Sequence, residues 1–188
     1  RASKDDAALE GYKEVAYELR KQLPNADNIF IPTSSGATLE GMYLGFMNSN
    51  ANSLTHPPSP LSYPKRGGEH EDAPTKSPAL FSIQTTKVHP IAEYFDKDFT
   101  AEKASRATAI VDRVAHRRDR VIEIIKTTGG GGFVISNMEL EGAQSILTGT
   151  VPVKIGAQSA LAFAGFLKWR AQNPTRAQQQ TSVCLFTD

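Results

Sequence analysis

The sequence predicts an α/β fold, a mostly parallel sheet with helices on both faces. Three observations lead there. Short apolar runs at 29–31, 79–85, 133–135 and 181–187 alternate with longer stretches whose apolar residues recur at helical spacing. Proline and glycine punctuate the boundaries, at Pro24, Pro32 and the Thr-Thr-Gly-Gly-Gly-Gly run of 127–132. A chain of 188 residues, 39% of them hydrophobic and 22% charged, is long enough for one domain with its own core.

Residues 8–23 place Leu9, Tyr12, Val15, Ala16, Leu19 and Leu23 at three- and four-residue steps, one face of a helix that Pro24 stops. The run 29–31 is β-branched or aromatic and ends at Pro32, a buried strand, and 38–46 reads as the helix that follows it. Residues 48–78, rich in Pro, Ser and Asn, form a surface insertion. Beyond it come a strand at 79–85, a helical turn at 89–95 and two helices within 100–126 that close on the glycine run. A strand at 133–135 leads into a helix running to about Leu147, opened by the capping box Ser136-Asn137-Met138-Glu139. An extended piece at 151–155, a helix at 159–171 and a last strand at 181–187 complete the chain.

Charge and cysteine content narrow the function. With 21 Lys plus Arg against 20 Asp plus Glu, the net charge of +1 gives no broad field to gather nucleic acid or an anionic membrane. Cys184 is the single cysteine, so no intrachain disulfide forms, and a reducing, cytoplasmic setting fits. No stretch has the apolar length of a signal peptide or a membrane span. The first residue is Arg1 rather than Met, which suggests a fragment or a processed chain.

The turn Ser34-Ser35-Gly36-Ala37-Thr38 carries the chemistry. It joins a strand to a helix, so free N–H groups and the positive end of the helix dipole face whatever sits in it. Gly36 lets backbone approach a ligand, Ala37 adds little bulk, and the hydroxyls of Ser34, Ser35 and Thr38 can donate to phosphate oxygens. The competing reading is that these residues only cap a helix and make a tight turn. Neither G-x-G-x-x-G nor G-x-x-x-x-G-K-[ST] occurs, which removes the dinucleotide and nucleoside triphosphate motifs.

PTSSGATLEG at 32–41 resembles the glycine-rich phosphate loop of fold-type II pyridoxal phosphate enzymes, the tryptophan synthase β-subunit superfamily that includes cysteine synthase, threonine synthase and threonine dehydratase. Ser34, Ser35, Gly36, Ala37, Thr38 and Gly41 fall on that loop, with Ser34 and Ala37 standing where the family has glycine. GYKEVAYELRKQL resembles the preceding helix, PALFSIQTTKVHPI the family strand ending in Gln, and AQSALAFAGFLK its alanine-rich helix. The stretch from AIVDRVAHRR to FVISNMELEGAQ resembles the family segment ending in Gly, Val, Ser, Asp/Asn and Glu. SVCLFTD resembles the terminal segment in which a hydroxyl or thiol meets the pyridine nitrogen, which makes Thr187 that group.

The resemblance implies that residues 1–188 are the C-terminal portion of a pyridoxal phosphate-binding α/β domain. The implied reaction is β-elimination or β/γ-replacement on an amino-acid substrate; the loop leans to cysteine synthase, the Val-Ala-His-Arg-Arg stretch to threonine synthase. The Schiff-base lysine and the loop that grips the substrate carboxylate lie in the family's N-terminal half, so catalysis would need that half or a partner chain, in a homo-oligomer when intact. Lys13, Lys21, Lys87, Lys126 and Lys168 read as solvated charges. A noncatalytic module that binds a phosphorylated ligand or a partner chain is the alternative.

Remaining candidates read blandly. Glu69, His70, Glu71 and Asp72 sit in the polar insertion, and His56 and His89 stand alone. His116-Arg117-Arg118-Asp119-Arg120 reads as a solvent face, and Cys184 as an inert thiol.

Overall fold

The structure, a computed structural model, describes residues 6–48, 77–152 and 155–187. Four strands form one sheet in the order β3-β2-β1-β4, every pair parallel: β1 (Asn28–Pro32), β2 (Ala79–Thr85), β3 (Gly131–Ile135) and β4 (Ser182–Cys184). Five residues of β1 are all buried, because both faces of the strand are covered. Ile29, Ile31 and Leu80 pack toward α1 (Ala7–Gln22), α2 (Ala37–Met47) and α3 (Arg118–Thr128). Phe30, Phe81, Ile83 and Phe133 face the other way, onto α4 (Asn137–Thr150) and α5 (Ala157–Gln172). There Phe30 stacks on Phe81 with centroids 4.7 Å apart, and both rings meet Trp169 edge-on at 5.6 and 6.0 Å.

The expected fold class is the one observed, and the Ser136 capping box forms with both reciprocal bonds. Two expectations change, and one further helix is present that the sequence does not announce. Residues 100–117 are not helical; Ala107, Ile110 and Ala115 are buried there, and tertiary partners such as the Asn137 side chain, which accepts from the Arg106 N–H at 3.0 Å, take up backbone groups a helix would have used. The last strand stops at Cys184: Leu185 still donates to the Phe30 carbonyl at 3.0 Å, but Pro32 offers no N–H for a further rung. Val151 caps α4 in extended backbone without pairing into the sheet, while residues 153–154 lie outside the described residues. The six-residue helix α6 (Pro174–Gln179) buries no side chain and so has no apolar period to announce it. Of the 48–78 insertion, residues 49–76 lie outside the described residues, and with them His56 and the 69–72 cluster.

Gly41 proves to serve packing. A Cβ there would lie 2.5 Å from Tyr12 Cβ and 2.9 Å from the Leu9 carbonyl oxygen; at Gly45, one turn on, it would lie 2.7 Å from Ala16 Cβ and 2.8 Å from the Lys13 carbonyl. The two helices touch backbone to backbone, and only hydrogen fits between them. Gly11 sits in the interior of α1 with open space around it. Gly41→Ala is therefore expected to cost about 1–3 kcal/mol through overpacking. Gly11→Ala should gain up to about 1 kcal/mol from helix propensity. Urea unfolding of the two variants checks the opposite signs, and equal effects would mean the seam is not closed by backbone contact.

Candidate functional site

Where β1 ends, its backbone is held on several sides. Thr33 donates its N–H to the Ile83 carbonyl at 2.9 Å and its hydroxyl to the Ile31 carbonyl at 2.9 Å. The fully buried Gln84 amide donates to the Thr33 carbonyl at 3.1 Å and accepts from the Ile91 and Ala92 N–H groups, both at 2.8 Å. Gly36 then turns the chain with φ +96°. A Cβ on it would meet Val121 Cγ2 at 2.7 Å and Ile91 Cδ1 at 3.4 Å, so the missing side chain makes room for the core. The left-handed turn and the contact with α3 each require glycine at 36, whatever the cavity it lines holds.

From that turn α2 starts. Its first turn closes through the Glu40 N–H on the Gly36 carbonyl at 3.0 Å, and the Ala37 N–H reaches Ser35 Oγ at 3.4 Å. The N–H groups ahead of that bond have no helical carbonyl to meet and carry the positive end of the dipole. They border a cavity of about 380 Å3. Residues 32–38 form one wall, Tyr12 and Val15 of α1 a second, Ala109 and Ile110 a third, and Gln158 with residues 185–187 the fourth. The cavity lies off the C-terminal ends of β1 and β4, where the strand order steps β3-β2-β1 and then jumps to the other side of β1. Open α/β sheets take ligands at such a reversal.

All six sequence candidates, Ser34, Ser35, Gly36, Ala37, Thr38 and Thr187, line this one cavity. Thr187 is held by its N–H, which donates to Ser159 Oγ at 3.0 Å. Ser34 is held differently from the rest. Its hydroxyl oxygen accepts the N–H groups of Val111 and Asp112 at 3.1 and 3.2 Å and donates its proton to the Asp112 carboxylate at 2.8 Å. One donor and two acceptor positions are then used, so Ser34 has no proton left for a ligand.

Asp112, Gln84, Tyr12, Gln158, Phe186 and the 109–110 wall are not among the sequence candidates. They reach the turn only through the tertiary fold; Gln84 is the Gln of the family-like strand, and nothing in the local pattern marks the others.

Other readings shift too. Lys168, expected in solvent, has 18% of its side chain exposed and pairs with Asp96 at 2.8 Å while donating to the Val134 carbonyl at 3.0 Å. Lys13 is similarly enclosed and pairs with Glu10. Arg117, expected on a solvent face, clamps the buried Glu40 at 2.8 Å and Asp6 at 2.6 Å. His89 packs edge-on against Phe99, centroids 4.5 Å apart. Among the described residues no group of His, Cys, Asp and Glu could hold a metal ion, no lysine lines the cavity, and no helix is long and apolar enough to cross a membrane.

A parallel sheet with a cavity at its switch point, beside a strand-to-helix turn, is the arrangement in which open α/β proteins take ligands. The family model of the pyridoxal-phosphate dependent enzymes matches residues 1–188, and the chain belongs to that family. Its cofactor is pyridoxal phosphate. Among solved structures the chain is similar to an L-serine ammonia-lyase of the fungus Rhizomucor miehei, at 14% identity and a TM-score of 0.68 over 97% of this chain and 52% of that one. A maize serine racemase matches at 13% and 0.62 over 93% and 46%. The processed form of threonine deaminase isoform 2 from Solanum lycopersicum matches at 11% and 0.64 over 98% and 44%. The chain thus spans about half the length of the solved structures it matches. No curated protein matches it.

Two outcomes test this description. Gln84→Leu would orphan the Thr33 carbonyl and two buried N–H groups, and should cost about 2–4 kcal/mol by urea unfolding; a loss under about 1 kcal/mol would show that the turn does not depend on the amide. Burial pushes the Cys184 thiol from its ordinary 9.0 up to about 12. Well below pH 9 both states stay protonated; as pH rises through 9 toward 12 the unfolded thiol ionises first, so this group lowers stability as pH rises through that window. At mildly alkaline pH, below that window, the native thiol should react with a disulfide reagent far more slowly than the unfolded chain does, and equal rates would contradict the burial.

Proposed function

We propose that this chain holds the phosphate and ring of pyridoxal phosphate as the C-terminal portion of an amino-acid lyase or synthase. The observation that carries the reading is the convergence of 34–38 and Thr187 on one cavity at the switch point of the sheet. Its volume of about 380 Å3 suits a small cofactor, and the donor set suits a phosphate monoester at one end. In this reading the α2 N–H groups with Ser35 and Thr38 receive the phosphate, Ala37 keeps the floor low, and Gly36 sets the turn. Ser34 supports the turn from outside the ligand contacts. Thr187 meets the ring nitrogen with a neutral hydroxyl, which leaves that nitrogen unprotonated and moderates the electron sink the cofactor supplies when bound.

The reaction proposed for the whole protein is β-elimination or β/γ-replacement on an amino acid, of cysteine synthase or threonine synthase type. The serine and threonine enzymes among the structural neighbours support a hydroxy-amino-acid substrate. A lysine-bearing half, in the same polypeptide or a partner chain, is part of the proposal, as are a homo-oligomer and a cytoplasmic setting. The second reading, a noncatalytic module for a phosphorylated ligand or a partner chain, draws on the absence of lysine from the cavity wall among the described residues.

Amide NMR of the chain titrated with pyridoxal phosphate tests the site. Shifts should centre on residues 36–38 and 187, and pyridoxal without phosphate should lose those at 36–38; shifts centred elsewhere would sink the assignment. Borohydride treatment followed by peptide mass analysis should trap no specific lysine adduct in this chain. A specific adduct here would place the reactive lysine among residues 1–188 and overturn the division of roles. Equal shifts from simple phosphate monoesters would favour the noncatalytic reading.

A further inference from the structure

Among the described residues, the wall of the cavity contains no lysine, arginine or histidine, although a phosphate carries up to two negative charges. Carboxylates do stand close to its turn. Asp112 accepts from the Ser34 hydroxyl at 2.8 Å, and the buried Glu40 lies in the first turn of α2, its N–H on the Gly36 carbonyl at 3.0 Å. Behind Gly36 is the start of α3: Val121 Cγ2 lies 2.7 Å from where a Cβ of Gly36 would be, and the Val121 N–H donates to the Arg117 carbonyl at 2.8 Å. From that end of α3, Arg117 and Arg120 reach Glu40 at 2.8 and 3.9 Å, and Arg117 also pairs with Asp6 at 2.6 Å. Arg117 alone hydrogen-bonds the Glu40 carboxylate. Arg120 stands too far to do so, and the Nε atoms of both arginines are buried with no hydrogen-bond partner among the described residues. A cluster kept for stability alone would not carry that cost. What Arg120 adds is charge.

We propose that Arg117 and Arg120 are positioning residues that act on a bound phosphate through their charge: from behind α2 they offset Glu40 and Asp112, and so set how tightly the turn at 34–38 holds an anion. The inference rests on the cavity being the cofactor site. Glu40 follows Gly36 by about 6 Å along the helix axis, so the guanidiniums that meet it stand close behind the free N–H groups of α2. Their field is only partly screened there, since the Arg117 side chain is 11% exposed and that of Arg120 38%. At an effective dielectric of about 20, a unit charge about 10 Å away changes the binding of an anion by the order of tenfold. The sign separates this role from a mechanical one. Losing an arginine weakens phosphate binding and losing the Glu40 charge strengthens it. If the cluster only held α2 in place, either change would weaken binding, because both break the same ion pair.

Titration with pyridoxal phosphate, read at the 36–38 amides by NMR, gives Kd for the full chain and for Arg117→Gln, Arg120→Gln, Arg120→Lys and Glu40→Gln. The expected result is a Kd raised about tenfold in Arg117→Gln and about threefold in Arg120→Gln, where solvent screens more of the charge. In Glu40→Gln it should fall at least about threefold, and in Arg120→Lys, which keeps the charge, it should stay within about twofold. Weaker binding in Glu40→Gln as well as in the arginine variants would overturn the proposal and leave a purely mechanical role. A Kd unchanged in every variant would overturn it too, with the cofactor site left standing. Absence of binding by the unmodified chain would overturn the cofactor site, and this inference with it. Urea unfolding shows which variants fold; should Arg117→Gln or Glu40→Gln fail to, the partly exposed Arg120 carries the test, and Arg120→Lys binding as weakly as Arg120→Gln would overturn the proposal.

Discussion

At Gly36 three demands meet on one residue: the backbone must turn left-handed at φ +96°, the α-carbon must admit Val121 within what would be 2.7 Å of a Cβ, and a helix must begin on the next residue. Any side chain would strain the turn and push α3 away. The direction of α2 follows from this turn, and the direction of α2 decides where its N–H groups face, which residues of α1 it meets and which arginines Glu40 in its first turn reaches. The cavity is a consequence of that geometry.

The same helix is then secured from two other sides. Against α1 it lies at backbone contact through Gly41 and Gly45. Against α3 it presents Glu40, 2% exposed, to Arg117 at 2.8 Å and Arg120 at 3.9 Å. A buried carboxylate without such partners would be costly, and the pair adds little net stability over an apolar contact, but it penalises any rotation of α2 that would separate the charges. Gln84 does the neutral counterpart at the strand end, tying the Thr33 carbonyl to the turn at 91–92. The turn is thus held in place by groups that do not line the cavity.

Legibility in the sequence follows the range of the interactions. Helices with a clear apolar stripe, such as α1, and strands buried on both faces, such as β1 and β2, lie within a residue or two of their expected bounds because periodicity and punctuation are local. The segment 100–117 imitates a helix because its apolar residues are spaced suitably, while the hydrogen bonds that hold it in another form come from Ser34 and Asn137, far away in the chain. Lys168 and Arg117 read as solvent-facing for the same reason: the carboxylates that enclose them, Asp96 and Glu40, are more than seventy residues distant.

Composition and local pattern were enough to determine the α/β class, the parallel sheet, the strand-turn-helix unit at 34–38 and, by ordered resemblance along the chain, the pyridoxal phosphate family. Each of these depends on residues near one another in sequence or on motif order. Only the tertiary structure decided that Thr187 shares a cavity with that turn, that a Cβ at Gly36 or Gly41 would strike Val121 or Tyr12, and that the Ser34 hydroxyl is already engaged by Val111 and Asp112. Those facts are distances between segments that the chain brings together by folding, and a hydroxyl has the same sequence signature whether its proton is free or already held by a carboxylate seventy-eight residues away.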